Sequence, residues 1–210
     1  MNAVHHHPLS GLYMILDPSV CPTRSLVEVL GLAAEAGAFL FQYRNKTASM
    51  KEASREALAL RPAAAKAGVL FIVNDRCDLA LAVDADGVHL GQEDLPLVLA
   101  RKVMGPDKLI GISTHNPNQV REATAGTPDY LGFGPIFTPG SKQDHDPVVG
   151  IEGLRAIRSL TSLPVFAIGG IHIDHVREVM CAGADGVAII SAILKAPDIS
   201  HAVKAILAQM

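Results

Sequence analysis

Asp75 and Asp94 stand nineteen residues apart in the stretch NDRCDLALAVDADGVHLGQED, each just beyond a run that reads as a strand. Two carboxylates on neighbouring strand ends would suit a hard divalent cation. Magnesium takes oxygen ligands, keeps several waters, and needs only one or two carboxylates plus phosphate oxygens. Upstream, Gln42, Arg44 and Lys46 occupy every second position of FQYRNK. In an extended chain those three side chains share one side. Two cations beside an amide suit a polyanion such as a diphosphate: Arg forks across two oxygens and Lys adds a point charge. Each feature also has a plainer reading. Basic residues at a strand end can be merely solvated. Each acid precedes a helical pattern that it could N-cap, the second with Pro96 just inside. Taken with the cations, the metal reading competes with the caps.

The elements that must position these residues alternate regularly. Apolar runs predict strands at 12–16, 39–43, 69–73, 87–90, 109–113, 129–133, 164–168 and 186–190. Helical patterns separate them, and a last one follows at ISHAVKAILAQ. The pattern MKEASREALALRPAAAKA contains Pro62, which is expected to kink or break it. AAEAGAFLF, AAKAGVLFI and MCAGADGVAII each end a helix with Gly before an apolar strand, as parallel strands buried on both faces require. Eight such units predict a single-domain α/β chain, a closed (β/α)8 or TIM barrel over 11–210. An open doubly wound sheet would have a Gly-rich fingerprint after its first strand, where LDPSVCP stands instead.

In such a barrel the chemistry sits at the C-terminal strand ends. Besides QYRNK, NDR and GQED, that rim would hold STHN, GPIFTPGSK, Gly169-Gly170, and Ile190-Ser191 opening a short helix. The last two groups follow strands seven and eight, where glycine amides and a helix N-terminus can take a phosphate. TPGSKQDHDPVVG, with Thr138, Ser141 and Lys142, reads as a lid or as a solvated loop. Its Asp144, His145 and Asp146 are too close in sequence to converge on one ion. His89 lies inside a strand, where a satisfied interior histidine is expected. His115 faces the mouth or is simply a loop residue.

Composition narrows the field further. A net charge of −3 with no Lys/Arg block argues against nucleic acid or a membrane surface as the main partner. Cys21, Cys77 and Cys181 form no paired motif and fit a reducing cytoplasm. Residues 1–10, with His5, His6 and His7, read as a disordered leader. A hydrophobic share of 49% supports a large core, and scarce aromatics imply that small aliphatics build it.

QYRNK, NDRCDLAL, DGVHLGQEDL, GIS, GPIFTPGSK, FAIGGI and GADGVAIISAI, in this order and spacing, resemble the thiamine phosphate synthase family. The likeness runs from about residue 11 to the last strand. It implies a barrel enzyme that joins 4-amino-5-hydroxymethyl-2-methylpyrimidine diphosphate to a thiazole phosphate, giving thiamine phosphate and diphosphate. By similarity, Gln42, Tyr43, Arg44, Asn45, Lys46, Asn74 and Lys142 would hold the pyrimidine diphosphate, with Ser113 beside them. Asp75 and Asp94 would bind Mg2+. Pro139, Gly140, Ser141, Gly170, Ile190 and Ser191 would hold the thiazole phosphate. Arg44, Lys46 and Lys142 would neutralise the departing diphosphate in a dissociative substitution.

One segment departs from the family. It commonly has Pro-Thr-x-Thr-Lys where this chain has Thr138-Pro139-Gly140-Ser141-Lys142, so Thr138 is expected to stand in for the displaced hydroxyl. Two other functions remain open. A thiazole tautomerase of the same fold would use His115 as its acid or base. A non-catalytic phosphate-binding barrel is also compatible, because fold does not fix function.

Overall fold

The computed structural model describes residues 9–138 and 146–210. The expected leader (apart from Leu9 and Ser10) and the segment 139–145 lie outside the described residues. Eight strands form: β1 (Gly11–Leu16), β2 (Leu40–Tyr43), β3 (Leu70–Asn74), β4 (Gly87–Leu90), β5 (Leu109–Thr114), β6 (Tyr130–Phe133), β7 (Val165–Ile168) and β8 (Gly186–Ile189). The helices are α1 (Leu26–Glu35), α2 (Met50–Ala67), α3 (Cys77–Ala82), α4 (Leu97–Met104) and α5 (Pro117–Gly126). They continue with α6 (Gly150–Arg158), α7 (Ile173–Cys181), α8 (Ser191–Leu194) and α9 (Ile199–Leu207). All strand pairings are parallel, and β8 returns to β1, closing the barrel. Each expected strand is present to within a residue at either end.

Local chemistry explains the helix that was expected to break. α2 is a single helix through Pro62. Ser49 and Glu52 form a capping box at its start, and Gly68 closes it in the left-handed region with φ +68. Pro62 removes one amide donor, which would have bonded the carbonyl of Leu58. That residue is exposed, so water can take the bond instead.

Three aspartates at the opposite, N-terminal rim show a structural use of the same side chain. Asp86, Asp129 and Asp185 directly precede β4, β6 and β8. Each accepts the backbone N–H of a residue in the strand before: Phe71 at 2.8 Å, Ile110 at 2.7 Å and Val165 at 2.8 Å. Each also pairs with an arginine, Arg61, Arg101 or Arg158. Carboxylates at this end tie strands together, as the bottom face of a barrel requires.

The core has two parts. Aliphatic residues fill the layer between strands and helices, as composition implied. The barrel lumen differs, because three aromatics meet there edge to face: Tyr13 lies 5.7 Å from Tyr130 and 5.2 Å from Phe166, ring centre to ring centre. Space for them comes from a missing side chain. A Cβ at Gly111 would stand 2.1 Å from the Tyr130 ring and 2.5 Å from His89 Nδ1.

Candidate active site

At the C-terminal mouth of the barrel lies a cavity of about 560 Å³. Gln42, Arg44, Asn74 and Ser113 line one side, and Gly169, Gly170, Ile190 and Ser191 line another. Residues expected from five separate stretches therefore converge. The alternation in FQYRNK works as expected for Gln42, which points into the lumen and donates from Nε2 to the Tyr13 hydroxyl at 2.6 Å.

Arg44 is held from below. Its guanidinium donates to the carboxylate of Asp17, just past β1, and both side chains are largely buried. Asp17 is fixed in turn by the Ser19 amide at 3.0 Å and the Ser19 hydroxyl at 2.5 Å. One lobe of the arginine is thus committed to the protein, while the residue still lines the cavity. Asp17 was legible only as a strand end, and its pairing across β1 and β2 needs the fold.

Asp75 and Asp94 meet on the rim beside Asn74. Burial, followed by hydrogen-bonding contact with and charge on Asp75, raises the Asp94 carboxyl pKa above the usual carboxylate range. Neither acid caps a helix, which corrects the simpler expectation. α3 has Arg76 at its N-cap and α4 has Pro96, both without a side-chain cap bond. Asp94 instead accepts the Gly91 amide at 2.7 Å. Asp75 takes the left-handed conformation, φ +64, which is uncommon outside glycine but more accessible to Asp. Lys46 Nζ lies 2.6 Å from Asp75 Oδ2. Two adjoining carboxylates on hard oxygen donors, with a cation already drawn to them, form a donor set that fits a divalent ion. Among the described residues no cluster of three or more ligating side chains exists, so phosphate and water oxygens would have to complete the sphere.

On the opposite wall, two glycine positions have no room for a side chain. Gly169 and Gly170 adopt φ +100 and +63. A Cβ on Gly170 would lie 2.7 Å from the Thr138 carbonyl and 2.8 Å from Phe137 Cβ. Beside them, α8 starts at Ser191; the amides of Ile193 and Leu194 bond back to the Ile190 carbonyl, and those of Ser191 and Ala192 precede the first acceptor of the helix. Gly170→Ala should destabilise the fold by about 1–3 kcal/mol and weaken binding of a phosphate monoester. Denaturant titration and calorimetry against the monoester check both effects.

Other expected residues fall elsewhere. Tyr43 turns to the helix layer and donates to Glu56 at 2.7 Å, as Asn45 also does at 3.0 Å. Strand alternation sends position 43 outward when 42 and 44 face the lumen and mouth. Thr138 is exposed and does not line the cavity. Pro139, Gly140, Ser141 and Lys142 lie outside the described residues. His115 lines the mouth with both ring nitrogens engaged, Nδ1 with the Gly134 carbonyl at 2.6 Å and Nε2 near Asp146 at 3.4 Å. Asp146, read as part of a solvated loop, also lines the cavity. His172 and Lys195 line it too and were not singled out. Lys195 follows Ser191 by one helical turn, a spacing that would have signalled it.

His89 is the satisfied interior histidine expected, with Tyr130 at Nδ1 and Ser113 at Nε2. Burial holds its pKa down at about 4, against an ordinary 6.5. The folded protein therefore takes up fewer protons there than the unfolded chain does. This contribution to stability is complete above about 6.5 and is lost as pH falls towards 4. Comparing the Tm–pH profile with that of His89→Asn should show a shallower acid slope for the variant over this window.

Against this geometry stand the relatives. The model of the thiamine monophosphate synthase family matches residues 12–193. The chain belongs to that family. It is 47% identical to the thiamine-phosphate synthase of Chloroflexus aurantiacus over 92% of this chain and 89% of the relative. The Moorella thermoacetica thiamine-phosphate synthase is 43% identical over 94% of both chains. The solved thiamine phosphate pyrophosphorylase of Pyrococcus furiosus superposes with a TM-score of 0.85 at 40% identity, covering 95% of this chain and 94% of that one.

Proposed function

We propose that the protein condenses 4-amino-5-hydroxymethyl-2-methylpyrimidine diphosphate with a thiazole phosphate, releasing diphosphate and forming thiamine phosphate. The observation that carries this reading is one cavity bounded on one side by Arg44, Asn74 and Ser113 and on the other by Gly170 and Ser191. Two anion-binding walls facing each other suit two phosphorylated partners held for reaction. Departure of diphosphate leaves a resonance-stabilised pyrimidine-methyl cation, which the thiazole nitrogen captures. Such a step needs neutralisation of the leaving group and alignment of partners more than a protein nucleophile.

Arg44 and Lys46 would stabilise the charge that develops on the leaving diphosphate. Lys142 joins them on the strength of the resemblance. Gly170, Ile190 and Ser191 would orient the thiazole phosphate through backbone amides. Asp75 and Asp94 would hold Mg2+, which when bound supplies charge neutralisation to the diphosphate oxygens. An isomerase reading is weaker, because both nitrogens of His115 are engaged and the paired acids would have no task. Among the described residues no helix is long and apolar enough to cross a membrane. With Cys21, Cys77 and Cys181 all unpaired, a reducing cytoplasm is the compartment proposed.

The test is direct. Incubation with both substrates should give thiamine phosphate only when Mg2+ is present. Absence of product under every metal condition would overturn the reading, and isomerisation of thiazole phosphate alone would replace it with the tautomerase.

A further inference from the structure

Inside the barrel, four hydrogen bonds run in series from Gln42 to Ser113. Gln42 Nε2 reaches the Tyr13 hydroxyl at 2.6 Å, and that hydroxyl meets the Tyr130 hydroxyl at 2.8 Å. The Tyr130 hydroxyl lies 3.2 Å from His89 Nδ1, and His89 Nε2 lies 2.9 Å from Ser113 Oγ. The two tyrosines are fully buried and His89 nearly so, so each proton in the series needs an acceptor within it. Counting donors then fixes the direction. Tyr13 accepts from Gln42, so its own proton must go to Tyr130. Tyr130 accepts that proton and must pass its own to His89 Nδ1. His89 is therefore neutral, carries its proton on Nε2, and donates to Ser113. An imidazolium would leave the Tyr130 proton buried without an acceptor.

We propose that Tyr13, Tyr130 and His89 are positioning residues that commit Ser113 to act as a hydrogen-bond donor, and Gln42 Oε1 as an acceptor, towards the cavity. Ser113 Oγ already accepts from His89, so its own proton is directed to a ligand. An acceptor-only anionic oxygen of a diphosphate meets that requirement, and Arg44 and Asn74 line the same wall. Gln42 has no partner for Oε1 among the described residues, and no buried side-chain polar atom is unsatisfied. That carbonyl thus faces the cavity and suits an exocyclic amino group on a heterocycle. Through Gln42 and Ser113 the lumen would select an aminated ring bearing a diphosphate by the direction of its protons, beside the charge that Arg44 supplies. The ligand chemistry rests on the function proposed above, whereas the tautomer of His89 does not.

The experiment reads the tautomer first. Nitrogen-15 spectra of the imidazole groups at neutral pH, with His89 assigned by its loss in His89→Asn, should show Nε2 protonated and Nδ1 bare. A protonated Nδ1, in the other tautomer or in an imidazolium, overturns the proposal, whether or not the protein makes thiamine phosphate. Tyr130→Phe should then mix the tautomers of His89 and weaken binding of inorganic pyrophosphate with Mg2+ about tenfold. Unchanged pyrophosphate affinity in a folded Tyr130→Phe protein would equally overturn it. Should that variant not fold, the wild-type tautomer alone decides.

Discussion

Asp94→Asn is expected to lower kcat for thiamine phosphate formation by about 10²–10³-fold while leaving the protein at least as stable as the parent. The two effects have one cause. The Asp94 carboxyl is held above the usual range by burial and by contact with Asp75. Its contribution to folding is fullest below the ordinary aspartate range and is lost as pH rises through the raised value. At neutral pH the ionised pair is therefore a cost that an amide removes. Because Asp94 caps no helix, no secondary structure depends on the charge. Two measurements check this: product formation across a Mg2+ titration, and Tm at neutral pH with and without Mg2+ and pyrophosphate. Parent protein should gain Tm from the metal and pyrophosphate, and Asp94→Asn should gain much less. A variant that lost Tm yet kept metal-dependent turnover would assign Asp94 a structural role only. Asp75→Asn should behave alike in activity, and Asn also tolerates the left-handed backbone at that position.

Arg44→Met should be damaging twice over. Removing the guanidinium strands the buried Asp17 carboxylate, an expected loss of about 3 kcal/mol in stability. It also removes a cation from the diphosphate wall, an expected loss of about 10²–10³ in kcat/KM. The double variant Asp17→Asn with Arg44→Met separates them. Stability should largely return, because no charge is left unpaired, whereas activity should not. Asp17→Asn alone should reduce activity about tenfold, though Asp17 itself does not line the cavity, because Arg44 is then free to adopt unproductive rotamers. Urea denaturation beside steady-state kinetics on the four proteins completes the cycle. Equal recovery of stability and activity in the double variant would mean that Arg44 acts only through the fold.

Much of the architecture was written in local pattern. Short apolar runs entered through glycine, each preceded by a helical period, specify parallel strands because such strands are buried on both faces. The eight runs matched the barrel strands nearly residue for residue. Pro62 misled because a proline penalty is judged against the helix as a whole. Here a capping box, a left-handed cap and the exposure of Leu58, whose carbonyl loses its donor, absorb it. The aromatic lumen was hidden for a different reason. Tyr13, Tyr130 and Phe166 are far apart in sequence, and composition reports how many aromatics exist, not where they gather.

For the site, the sequence by itself determined the set of strand-end residues: Gln42, Arg44, Asn74, Asp75, Asp94, Ser113, Gly170 and Ser191. It could do so because barrel strands all deliver their C-terminal ends to one rim, so chain order is enough to collect them. Only the tertiary structure decided what those residues do to one another. It excluded both aspartates as helix caps, paired Arg44 with Asp17 and Lys46 with Asp75, and turned Tyr43 and Asn45 towards Glu56. It also joined Gln42 to Ser113 through three side chains on three strands. Hydrogen bonds and ion pairs depend on distances of a few ångströms between distant parts of the chain. Such distances are fixed by barrel closure and strand register, which no local pattern carries.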